Sequence, residues 1–170
     1  MEGLYPPMNE LMIFWVESSV PGRVAVVSRP RSVAHFARMK ARGIDVLVSM
    51  MEPKEAEELG LGDEAGHCAR AGIEFLSVPI TDHGIPDSFE TIERAVAALS
   101  SHLAAGRGVA AHCYAGLGRS PLMVASLLIH HGYSDADAIA LVSEARGYDV
   151  PEMDDQHVWL SDFAMRYRRG

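Results

Sequence analysis

The feature that most constrains this chain is a series of short, β-branched, apolar runs with no polar alternation, separated by segments of helical period. Residues 13–16 (Ile-Phe-Trp-Val), 24–27 (Val-Ala-Val-Val), 45–49 (with Val46, Leu47 and Val48), 74–78 and 109–112 (Val-Ala-Ala-His) read as strands. An antiparallel sheet with one wet face would alternate apolar and polar residues. Uniformly apolar strands are buried on both faces, as in a parallel or mixed sheet covered by helices. Helices are expected between them. One is capped by Ser32 and stops at Gly43, and a short polar one spans 55–59. Another spans 63–71 and ends at Gly72. A longer one begins at Asp87 or Ser88, with Asp87 and Glu90 at capping-box spacing and Phe89, Ile92, Val96, Leu99 and Leu103 forming one apolar stripe. Residues 121–131 are apolar on nearly every side, as in a central buried helix opened by Pro121. Ser134 caps a further helix, and Leu160, Phe163 and Tyr167 mark a last one. The fold class expected is α/β, a single domain over residues 1–170. It has a central, mostly parallel sheet of about four to five strands with helices on both faces. Ligands in such sheets sit at the carboxyl ends of strands, where the loop after residue 112 lies.

Composition narrows the function classes. With 15 basic and 23 acidic residues the net charge is −8, which disfavours binding to nucleic acid or to an anionic membrane. No apolar run is long enough to span a bilayer, and residues 1–7 lack a secretory pattern, so the expected compartment is the cytoplasm. The basic run Arg166, Arg168 and Arg169 reads as helix capping. Two cysteines, Cys68 and Cys113, do not make a disulfide framework. The eight histidines show no tight metal-ligand spacing, so neither a metal nor a cofactor is expected.

An acidic domain that takes an anionic substrate must concentrate positive potential in one place. The run His112-Cys113-Tyr114-Ala115-Gly116-Leu117-Gly118-Arg119-Ser120 can do so. A strand-to-helix turn gathers the N–H groups of Tyr114, Ala115, Gly116, Leu117, Gly118 and Arg119 around one point, and such a nest at a helix N-terminus binds anions. Gly116 and Gly118 permit backbone conformations that a Cβ resists. Arg119 offers a planar fork to two phosphate oxygens. Cys113 sits at the base of the cup, where the same dipoles favour thiolate over thiol; cysteines in such settings titrate at roughly 3.5–7.5 rather than ~8.5. His112 is expected to tune and orient the thiolate by hydrogen bonding, and Ser120 to donate its hydroxyl when sulfur leaves.

Attack by a thiolate on a phosphate ester also needs an acid for the departing oxygen. The breaker-rich stretch 79–87 follows a strand, which puts Asp82 at the same sheet end as Cys113. Asp is also a common turn former, and Asp87 is a rival whose helix-capping position already accounts for it.

The loop 112–120 resembles the signature of the protein tyrosine phosphatase superfamily, and the rest of the chain resembles its small atypical dual-specificity members. The similarity extends over Trp15-Val16, Pro21-Gly22-Arg23-Val24-Ala25, Arg29-Pro30-Arg31, Leu47-Val48-Ser49 with Glu52, and Val78-Pro79-Ile80 with Asp82 and Pro86-Asp87. It implies a phosphomonoester hydrolase working through a phospho-cysteine. Cys113 would be nucleophile, Arg119 the phosphate clamp, Asp82 acid and base, and Ser120 thiolate stabiliser. It further implies that Glu52 pairs with Arg119, and that Glu152 and Gln156 help place the hydrolytic water. Glu52 reads equally well as a surface carboxylate beside Pro53, and the plain reading of Glu152 and Gln156 is a helix N-terminus rich in acid (Glu152, Asp154, Asp155), which dipole arguments alone explain. The loop interior has no Lys, unlike the enzymes that act on inositol lipids, so a phosphorylated protein or small aryl phosphate is the expected substrate, with phosphate, sulfate or vanadate as active-site anions. The competing functions are a phospho-binding pseudophosphatase and an arsenate reductase, the latter needing Cys68 as a second thiol.

Overall fold

The computed structural model describes residues 10–169, with side chains described through Tyr167. The reading of residues 1–7 and the capping by Arg168 and Arg169 lie outside that range. Among the described residues five strands, β1 (Ile13–Val16), β2 (Arg23–Val27), β3 (Val46–Ser49), β4 (Glu74–Ser77) and β5 (Gly108–His112), form one sheet in the order β1-β2-β5-β3-β4. β1 runs antiparallel to β2; every other pairing is parallel. The α/β class and strand number match the expectation from uniformly apolar runs.

β5 is the middle strand, and all five of its residues are buried. Its side chains alternate between two cores. Val109 and Ala111 join Val24, Val26, Val46 and Val48 under α4 (Phe89–Ala104), α5 (Arg119–His130), α6 (Asp135–Arg146) and α7 (Asp154–Arg169). Ala110 joins Ala25, Val27 and Leu47 under α1 (Val33–Ala41), α2 (Pro53–Glu58) and α3 (Glu64–Ala71). Such two-sided burial is what removes polar alternation from the strands.

The apolar stripe of α4 is buried at Ile92, Val96, Leu99 and Leu103. Its N-cap is Ser88, whose Oγ accepts from the Thr91 N–H at 3.3 Å, so the capping box expected from Asp87 and Glu90 does not form. α5 is buried at every position from Arg119 to Ile129, the central helix that its composition predicts. Phe89, Trp159, Phe163 and Tyr167 pack ring against ring, with centroids 5.0–5.2 Å apart along the row. Ring pairs of this kind contribute about 0.5–1.5 kcal/mol each beyond burial. They pin α7 against α4 and thereby set where the first turn of α7 meets the loop after β5.

Candidate active site

The loop from Cys113 to Gly118 joins the C-terminal end of β5 to the N-terminus of α5. Gly116 lies at φ +72°, the left-handed region that a side chain resists, whereas a Cβ there would meet Val26 and Arg146 only at ordinary contact distance. A Cβ on Gly118 would stand 3.0 Å from Nε2 of Gln156. Both glycines are thus required by the tight winding of the loop and by its contact with α7.

Cys113 is 3% exposed, and that surface opens on a cavity of about 230 Å³ lined by Asp82, His83, Cys113, Arg119 and Glu152 together with the loop. Its Sγ lies 3.1 Å from Ser120 Oγ, the contact expected of a hydroxyl that stabilises thiolate. The loop is braced from outside by Arg146, which donates from Nε to the Gly116 carbonyl at 3.1 Å and from Nη2 to the Ala115 carbonyl at 3.2 Å. Its guanidinium rests 4.4 Å above the Phe14 ring. Carbonyls held outward leave the amides of the same peptides free to face the cavity. Tyr114 is exposed at the rim, with the guanidinium of Arg29 4.3 Å over its ring and bonded to its carbonyl at 2.6 Å.

Arg119 is 1% exposed and is held on several sides. Nη1 and Nη2 each donate to one oxygen of Glu55 at 2.8 Å, a bidentate fork. Nη1 also donates to the Ile80 carbonyl at 3.0 Å and the Met50 carbonyl at 3.3 Å, and Nη2 to Asp82 Oδ1 at 3.1 Å. Burial acts to lower the Arg119 pKa, but the hydrogen bonds to Glu55 and the nearby negative charges outweigh it and hold the group above its ordinary value. The hydrogen bond from Arg119 conversely holds the Glu55 carboxyl below its usual range.

Two expectations are corrected here. Glu52 does not pair with Arg119. Pro53 occupies the first helical position, which makes Glu52 the exposed N-cap of α2 and turns Glu55, three residues on, toward the end of the sheet. The helix start expected at residue 55 hid this register. His112 does not hydrogen-bond the thiol either. Strand alternation turns its ring toward α3, where Nε2 meets Oε2 of Glu64 at 2.5 Å and Nδ1 lies 3.4 Å from the Cys113 carbonyl. No periodicity marks Glu64, because it is a carboxylate in the first turn of a helix, where acidic residues are ordinary.

Asp82 is half exposed on the cavity wall, and Asp87 is exposed outside it. His83 follows at φ +62°, with its ring nitrogens 3.7 Å from Asp82 and 3.6 Å from Glu152. Glu152 lines the cavity and donates its main-chain N–H to the Leu117 carbonyl at 2.8 Å. Gln156 is fully buried. Its Nε2 donates to the Gly84 carbonyl at 3.0 Å, and its Oε1 accepts from the Met153 N–H at 3.2 Å. It therefore ties the Asp82 loop to the start of α7. Glu55, Glu64, Arg146 and His83 were not singled out by local sequence, since each is recruited by an element distant in the chain.

Cys68 lies in the core on the α1–α3 side, whereas Cys113 belongs to the opposite one. Burial, and to a smaller extent Glu64, pushes the Cys68 thiol up to about 12. The second thiol that an arsenate reductase would use is therefore buried and across the sheet from Cys113.

A family model described as "Polymorphic toxin system, DSP-PTPase phosphatase" matches residues 24–133. The protein tyrosine phosphatase PRL-1 of Leishmania major is 31% identical over 106 residues, covering 57% of this chain and 59% of that protein. The chain thus spans little more than half the length of that relative. Among solved structures, kinase associated phosphatase superposes with a TM-score of 0.86 at 21% identity, covering 96% of this chain and 99% of that one. Tk-PTP in its active form superposes with a TM-score of 0.77 at 26% identity, covering 91% of this chain and 97% of that one.

Proposed function

The chain belongs to the DSP-PTPase phosphatase family, and from that premise we propose that it hydrolyses phosphate monoesters through a phospho-cysteine on Cys113. The observation that carries this is the stacking of functions around one cavity: the Cys113 sulfur at its floor, Ser120 Oγ 3.1 Å away, Arg119 in its wall and Asp82 beside its mouth.

The Cys113 thiolate attacks phosphorus in line with the ester oxygen. The loop amides and Arg119 take up charge on the equatorial oxygens, a preorganised electrostatic site of the kind that dominates phosphoryl transfer. An entering phosphate oxygen competes for the Arg119 N–H that Asp82 holds at 3.1 Å, releasing Asp82 toward the leaving oxygen. The P–O bond breaks as the Asp82 carboxyl gives its proton to that oxygen. Water then attacks the phospho-cysteine, the Asp82 carboxylate takes its proton, and the S–P bond breaks. Ser120 donates to the departing thiolate. Glu152 on the cavity wall and Gln156, which anchors the Asp82 loop, place the water.

The substrate is a phosphorylated protein or a small aryl phosphate. The exposed Tyr114 rim suits an aromatic ring entering a cavity of about 230 Å³. Phosphate, sulfate and vanadate should bind in the same place, and the acidic balance of −8 turns nucleic acid and anionic membranes away. A reducing compartment such as the cytoplasm keeps Cys113 competent. The test is hydrolysis of p-nitrophenyl phosphate without added metal, followed by vanadate inhibition. Cys113→Ser should abolish turnover while keeping phosphate binding; full activity in that variant would end the proposal.

A further inference from the structure

Glu64 and His112 form a buried ionisable pair, 3% and 0% exposed, that the reaction above does not use. A buried pair of this kind contributes little net stability compared with apolar side chains of similar size. Its position relative to the nucleophile is more informative. The His112 ring lies between two oxygens, Glu64 Oε2 on Nε2 and the Cys113 carbonyl on Nδ1. A carbonyl oxygen only accepts, so the ring satisfies it only with a hydrogen on Nδ1. Two proton arrangements satisfy both contacts at once, an imidazolium facing a carboxylate, or an Nδ1–H imidazole receiving a proton from a carboxyl; a neutral imidazole donating from Nε2 to the carboxylate would satisfy Glu64 but turn a lone pair toward the carbonyl. The first two put the hydrogen on Nδ1, and both leave the pair neutral as a whole. Without an acid at Nε2 the proton is free to sit on Nε2, which would turn a lone pair toward the carbonyl.

The Cys113 carbonyl and the Tyr114 N–H are the two ends of one peptide group. A hydrogen bond on that oxygen polarises the group and strengthens its N–H as a donor. That N–H belongs to the loop that encircles the cavity above the Cys113 sulfur. We propose that Glu64 is a positioning residue for the phosphoryl-transfer reaction, fixing the His112 proton on Nδ1 and thereby strengthening the peptide that holds the charged sulfur and the phosphate. The part played in turnover rests on the phosphatase reading; the hydrogen-bond relay itself does not.

The titratable groups that feel the pair lie on α2 and α3. Glu55 on α2 feels the His112 charge and in turn holds Arg119 of α5, and Cys68 on α3 feels the Glu64 charge; Arg146 on α6 faces the Ala115 and Gly116 carbonyls and not the pair. Cys68 is buried and titrates at about 12, so alkylation near neutral pH reports Cys113 alone.

The first test needs no variant. Nitrogen-15 NMR of the histidine rings should show a protonated Nδ1 on His112 in the native protein; an unprotonated Nδ1 would overturn the proposal. The second follows iodoacetamide alkylation of Cys113 against pH. Glu64→Gln can either donate to or accept from Nε2, so it no longer dictates the proton. It should lower the rate at pH 6 by about tenfold and displace the pH profile upward. In a His112→Asn background the same substitution should change the rate by less than about twofold, because the relay is already cut. An equal effect in both backgrounds, or none in either, would refute the relay. If Glu64→Gln does not fold, the ring-nitrogen measurement decides alone. Neither readout requires turnover. Absence of phosphatase activity with the relay intact would therefore count against the functional reading and not against Glu64.

Discussion

Replacement of Glu55 by Gln separates the tertiary assignment of the arginine's partner from the one expected along the chain. Glu55 meets both Nη atoms of Arg119 at 2.8 Å, and Arg119 is 1% exposed. Gln keeps the shape, can accept one of the two hydrogen bonds, and loses the other together with the charge. A hydrogen bond to a charged group is worth about 1.5–3 kcal/mol, whereas full removal of a buried ion's partner costs about 3–5 kcal/mol. The retained bond, the carbonyls of Met50 and Ile80, and Asp82 keep Arg119 from being orphaned, so the lower range applies. Glu55→Gln should therefore lower kcat/KM on p-nitrophenyl phosphate by about 10- to 150-fold. It should also lower the urea midpoint of unfolding. Glu52→Gln, at an exposed N-cap whose side chain makes no capping bond, should change stability by less than about 0.5 kcal/mol and the rate by no more than about twofold. Equal losses in the two variants, or a greater loss at Glu52, would refute the argument. The pH dependence carries the same sign. The Glu55 carboxyl is depressed in the folded protein, so its contribution is complete above the ordinary carboxylate range and is lost as pH falls through the depressed value. The wild-type protein should lose more stability on acidification than Glu55→Gln does.

Three other substitutions test different links. Asp82→Asn should reduce kcat by about 10²- to 10⁴-fold with little change in KM, and an unchanged rate in a stopped assay would reassign the acid. Arg146→Met keeps bulk over Phe14 but removes the donors to the Ala115 and Gly116 carbonyls. It should weaken vanadate inhibition by about tenfold or more, read by titration, because the loop amides lose their outward anchor. Leu99→Ala, in the fully buried stripe of α4, should destabilise by about 2–5 kcal/mol in urea unfolding while leaving the KM of the folded fraction unaltered.

Much of the cup was legible in the chain, because its parts are adjacent in sequence. Strand, loop, two glycines, Arg119 and Ser120 follow one another, and the local geometry of a strand-to-helix turn brings them around one point. Asp82 was legible for a related reason: a loop after a parallel strand must emerge at the same sheet end as the loop after β5. The misassigned residues failed at a finer scale. Glu52 and Glu55 differ by three residues in one loop-and-helix segment, and the choice between them depends on whether the helix begins at Pro53. His112 was correctly placed beside Cys113 in sequence, but neighbours on a strand point to opposite faces.

The sequence by itself determined the layered sheet and the helix that carries the cup, because apolar period and turn chemistry are local properties repeated along the chain. It also determined that a cysteine, an arginine fork and a hydroxyl share one loop. Only the tertiary structure decided which carboxylate holds Arg119, what His112 meets, and that Arg146 and Gln156 brace the loops. Those partners lie 30 to 72 residues away from the groups they contact. Each is selected by how helices dock on the sheet, and the pattern of residues around it along the chain carries no trace of that docking.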